Sequence, residues 1–250
     1  MNGTIIFAYL LIIVCVVVWA ILLVGHRSVS PSFMQGITIF GGAFLFGSCF
    51  INLVPHIFLA EGANAFVVGS WGFKVAASVL VGFFVQLLLE ILTKGVEHGH
   101  DHGTADVGVI GLMVGLSLHA FLEGMPLADS DGEIHRGLLY GIVLHNIPIA
   151  VILVTFFMQN GYSSLKSLAL LSLFAVMTPL GSLFNLYLLP PDPTLQRLLM
   201  GVVVGILLHV SVSILFDHHD KRLSWGKVLL IVLAFVAAYI TPGCPEIYPL

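Results

Sequence analysis

Apolar residues run in long blocks along this chain, and the polar residues between them fall in a few short clusters. A bilayer core about 30 Å thick takes about 20 residues of helix to cross. Blocks of that length are read at roughly 4–25, 34–60, 71–93, 107–128, 136–158, 163–189, 195–216 and 225–241. The pattern predicts an all-α membrane protein of eight transmembrane helices. Connections are short, so residues 1–250 are expected to form a single transmembrane domain without a separate soluble one. The first run has no basic flank before it and Arg27 after it, as expected of a retained anchor rather than a cleaved signal peptide.

Composition agrees with the pattern. Of the 250 residues 58% are hydrophobic and 9% charged, and the mean hydropathy is +1.07, which places the chain with integral, multi-pass membrane proteins. The net charge of -4 carries no basic excess, so nucleic acid is excluded as an expected partner. Cys15, Cys49 and Cys244 are too few and too scattered for a disulfide framework. Most of the basic residues, Arg27, Lys94, Lys166, Lys221, Arg222 and Lys227, gather on one side of the predicted helices. The positive-inside rule therefore puts both termini on the extracytoplasmic side. The His-rich stretch EHGHDHG, within a loop spanning 94–106, then faces the cytosol, and the acidic DSDGE beginning at Asp129 faces out.

The informative exceptions are polar residues inside the apolar blocks. In LHAFLEGMPL, His119 and Glu123 stand at i and i+4, on one face of the fourth helix. A carboxylate near the bilayer centre costs on the order of 3 kcal/mol by insertion scales, so it requires a partner. LHNIPIA in the fifth helix adds His145 and Asn146. Pro126 and Pro148 would free the carbonyls of Leu122 and Leu144, so two broken helices could bring ligand atoms to one depth. Imidazoles with one carboxylate and a neutral oxygen suit Zn²⁺, with Fe²⁺, Mn²⁺, Co²⁺ or Cd²⁺ as alternatives, and are too nitrogen-rich for Ca²⁺ or Mg²⁺. The plainer alternative is a histidine bonded to a carbonyl and a protonated Glu123 paired with Ser117.

Asn52 and His56, which flank Pro55 in the second helix, and His209 in the seventh are candidates either for a transport path or for helix-packing hydrogen bonds. His98, His100 and His102 compose either a loose cytosolic metal-binding loop or a solvated flexible one. His218 and His219 carry the same two readings.

Together these residues resemble the ZIP family (Zrt-/Irt-like proteins) of divalent metal transporters. HAFLEG and HNIPIA resemble the family's signatures on its fourth and fifth helices, NLVPHIFLA and TPLGS resemble elements of its second and sixth, and a His-rich loop between helices three and four is a family habit. The resemblance implies inverted repeats of helices 1–3 and 6–8 around helices 4 and 5, with His119, Glu123, His145 and Asn146 as metal ligands. Three positions depart from the family pattern: Ala120, Ile149 and Thr178 stand where further ligands are common. A mononuclear site follows, with Thr178 reduced to a path candidate. The implied function is transport of a divalent transition metal, zinc foremost, toward the cytosol. No ATP is expected to take part, since no phosphate-binding loop is present.

On this view the protein is not an enzyme, needs no cofactor, and has the metal ion and the lipid bilayer as partners. A homodimer stays open, because its interface and a lipid-facing helix would read alike. Two other classes stay open as well. In an intramembrane zinc-dependent hydrolase, His119, Glu123 and His145 would hold a metal-bound water, although HExxH and a second carboxylate to act as base are missing. The other is a non-transporting metal sensor of the same fold.

Overall fold

The structure, a computed structural model, describes residues 2–26, 30–58, 70–97, 105–128, 132–216 and 224–241. Among these, eight helices fill the chain. They are α1 (Gly3–His26), α2 (Pro31–Ser48, prolonged by a π-helical stretch Cys49–Leu53 and a last turn Val54–Phe58), α3 (Trp71–Glu97) and α4 (Ala105–Gly124). After a 3-10 turn, Met125–Leu127, follow α5 (Arg136–Gln159), α6 (Ser164–Leu188), α7 (Pro193–Phe216) and α8 (Trp225–Ile240). Seven are long and apolar enough to cross a bilayer, and α8 is shorter at 16 residues. The protein is thus an all-α, multi-pass membrane protein.

Local chemistry sets the helix starts. Ser30, Ser163 and Ser224 each cap a helix by accepting the amide three residues on, from Phe33, Lys166 and Lys227, which satisfies donors the helix cannot. Boundaries differ modestly from those expected. Helix α3 continues to Glu97 and α4 begins at Ala105, so the connection expected at 94–106 shortens to 98–104. Hydropathy marks the end of the apolar block at Lys94, but a helix can continue past the bilayer with its hydrogen bonds intact. His98, His100 and His102, with His218 and His219, lie outside the described residues.

Of the two proline breaks expected, that at Pro126 is present, with non-helical backbone at a kink, and that at Pro148 is corrected. Helix α5 runs through Pro148 without interruption, and Pro126 sits in the 3-10 turn that ends α4. The carbonyl of Leu144 lies against Gly41 of α2, where an added Cβ would come within 3.3 Å of its oxygen. The irregular helix is α2, where the amide of Val54 bonds back to the carbonyl of Cys49, a π-type register.

The most extensive pairings are α3 with α7, α2 with α8, α4 with α6, and α1 with α5 and α6. They divide the molecule into two four-helix groups, α1/α4/α5/α6 and α2/α3/α7/α8, which meet where α2 touches α5 and α3 touches α4.

Glycines permit the closest crossings. A Cβ on Gly124 would collide with the carbonyl of Thr178, and one on Gly181 with that of Phe121. The backbones of α4 and α6 therefore touch directly, as small residues allow in lipid. Two buried apolar layers close the bundle at different depths. One holds Ile5, Ile12, Leu53, Ile57, Leu127, Leu138 and Ile142, near the start of α1. The other holds Val16, Met113, Leu153, Phe157 and Phe174, toward the opposite end.

Candidate metal centre

His119 and Glu123, one turn apart on α4, meet His145 of α5 between these two layers. The Nε2 atoms of His119 and His145 each lie 3.2 Å from the same carboxylate oxygen, Oε2 of Glu123. The imidazole rings stand nearly perpendicular, at 86°, with centroids 5.9 Å apart. Taken one ligand atom per residue, all three fall within 4.8 Å of one another. Burial is nearly complete, with relative exposures of 2% for His119 and 0% for Glu123 and His145.

Hydrogen bonding orients the rings. His145 Nδ1 lies 2.9 Å from the carbonyl of Gly141, one turn back on its own helix. A carbonyl only accepts, so Nδ1 carries a proton, and in the neutral imidazole Nε2 turns its lone pair toward Glu123. His119 Nδ1 lies 2.9 Å from Oε1 of Gln86 on α3. Both Nε2 atoms and both Glu123 oxygens make no hydrogen bond. Ser117 does not satisfy the carboxylate, which sets aside the plainer pairing.

Four buried ligand atoms without hydrogen bonds are costly unless a cation joins them. Ligands about 2.1 Å from a tetrahedral Zn²⁺ are about 3.4 Å apart, close to the 3.2 Å separations observed. The donor set therefore fits a borderline divalent metal. Asn146 is buried at 2% exposure and its Oδ1, like the Glu123 oxygens, has no hydrogen-bond partner among the described residues.

A cavity of about 250 Å³ has His119 and His145 in its wall. It extends past Gln86, Glu90, Ile149, Ile152, His209 and Ser213, toward the end at which α2 begins and α7 finishes. Of the four path candidates, the cavity includes His209 alone. His209 Nε2 is 3.5 Å from Glu90 Oε2, and its ring stands edge-on to Phe83 at 4.7 Å. Asn52 donates to the carbonyl of Ala238 at 3.3 Å and so ties α2 to α8. His56 packs edge-on against His135, with centroids 4.9 Å apart. Thr178 is buried at the α4–α6 crossing.

Gln86 and Glu90 were not among the residues expected at the site. The signal was present in FVQLLLEIL, where a polar and an acidic residue sit four apart in an apolar block, the spacing of His119 and Glu123.

A buried His₂-carboxylate cluster at the head of a cavity, in a multi-pass helical membrane protein, is the anatomy of a divalent-metal transporter. The sequence profile of the ZIP zinc transporter family matches residues 94–240. This covers α4 to α8, more than half of the chain, and the chain belongs to that family. No curated protein matches it. The family is one of transporters rather than enzymes, and its members' substrates are divalent metal ions.

Proposed function

We propose that this protein carries Zn²⁺, or a similar borderline divalent ion, toward the cytosol through a mononuclear site formed by His119, Glu123 and His145. The observation that carries this is the convergence of three buried ligand atoms within 4.8 Å. Asn146, adjoining His145, is the nearest candidate in sequence for a further oxygen ligand. Ile149 lines the cavity where the family pattern would place a bridging carboxylate, which supports one ion rather than two.

The positive-inside orientation puts both termini outside. With that orientation the cavity faces the cytosol, and the layer of Leu53, Ile57, Leu127, Leu138 and Ile142 closes the outer side. The ion would bind when this outer layer opens, exchange its water for imidazole and carboxylate, and leave past Glu90 and His209. The site lies on α4 and α5 of one helix group, beside the seam with α3 of the other, so movement of the groups against one another would open and close access to it.

Uptake of Zn²⁺, Fe²⁺, Mn²⁺ and Cd²⁺ into proteoliposomes tests this. Flux is expected from the wild-type protein, with Glu123→Ala reducing it at least about 10-fold through loss of the charged ligand. Unchanged uptake by Glu123→Ala would overturn the site. Metal bound without flux would indicate a sensor, and metal-dependent cleavage of lipid or peptide a hydrolase.

A further inference from the structure

The geometry points to Gln86 as a positioning residue that sets how tightly, and therefore how reversibly, the site holds its ion; this rests on the metal site proposed above. An imidazole that binds metal through Nε2 needs an acceptor for its Nδ1–H, which fixes the tautomer and the ring plane. His145 finds that acceptor on its own helix, at Gly141. His119 finds it across the seam between the two helix groups, at Gln86 Oε1, 2.9 Å away.

The chemistry of this acceptor is also informative. A carboxylate in its place would raise the basicity of the imidazole and strengthen the metal bond. Such a group exists one turn along α3, at Glu90, but Glu90 Oε2 faces His209 at 3.5 Å. His119 is left with a neutral amide, which orients the ring without adding charge. A carrier benefits from this, because its ion must leave as well as bind. Gln86 also comes from α3, whereas the ligands come from α4 and α5. Strong presentation of His119 therefore depends on the two helix groups staying in the arrangement seen here.

The test compares Gln86→Leu and Gln86→Glu with wild type. Zn²⁺ affinity is measured on the purified protein in detergent, and KM and maximal rate in proteoliposomes. Gln86→Leu removes the acceptor at similar size, and a loss of affinity of about 10- to 100-fold is expected. Gln86→Glu restores an acceptor and adds charge, so tighter binding with a lower maximal rate is expected. Nitrogen-15 NMR of labelled histidine, with ¹¹³Cd²⁺ as the probe, should show coupling to His119 Nε2 in wild type and its loss in Gln86→Leu. Wild-type affinity in Gln86→Leu, or equal weakening in both variants, would overturn the proposal by showing that Gln86 only fills space. If Gln86→Leu does not fold, Gln86→Glu decides alone: affinity no tighter than wild type overturns it. A His119→Ala variant that binds Zn²⁺ like wild type would instead overturn the metal site itself.

Discussion

Glu123 Oε2 is shared by two imidazole nitrogens at 3.2 Å each. Because His145 Nδ1 meets a carbonyl, a neutral His145 sets a lone pair against a carboxylate lone pair, and only a cation between them relieves the repulsion. A metal ion or a proton can do so, and the two compete. Metal needs both Nε2 atoms and the carboxylate deprotonated, so protons compete with it and affinity should fall as pH drops. Titrating the Zn²⁺ dissociation constant from about pH 8 to 5.5 should show monotonic weakening; a flat profile would show that these histidines are not ligands. The trio was legible in the sequence because an ionisable pair at helical spacing inside an apolar block is too costly to sit there without a partner. Gln86 could be read only as a polar partner of Glu90 in an apolar block; its pairing with His119, 33 positions away, has no local signature.

Helices α4 and α6 cross at backbone contact through Gly124 and Gly181, next in sequence to Glu123 and three residues after Thr178. Packing at this crossing therefore sets the depth and rotation of the carboxylate. Gly181→Ala should force the helices apart, at about 1–3 kcal/mol for overpacking, lowering the unfolding temperature and weakening Zn²⁺ binding together. Gly3→Ala, with nothing within 4 Å of the added carbon, is the control and should leave both unchanged. A thermal melt with and without metal measures this, and an unaltered Gly181→Ala protein would contradict it. Helix number and span limits were readable because the bilayer fixes length. Pro126 ends its helix as its sequence position suggests, but Pro148 misled: it marks a missing donor, and the helix nevertheless runs through it.

Across the whole molecule, one four-helix group carries the trio on α4 and α5, beside a cavity whose wall includes residues of both groups. The family pattern, which the match over 94–240 supports, fixes the class of cargo. The chain's own departures, Ile149 in the cavity wall and Thr178 at a helix crossing, are the basis for proposing one ion rather than two. Of the path candidates named from sequence, Asn52 serves a helix contact and His209 lines the cavity. A lone polar residue reads alike in either role until its neighbours are known. The most direct measurement is anomalous diffraction at the zinc edge from crystals grown with Zn²⁺. One intramembrane peak is expected, within about 2.0–2.2 Å of His119 Nε2, His145 Nε2 and a Glu123 oxygen. Two adjacent peaks, or a single peak away from these three side chains, would contradict the account.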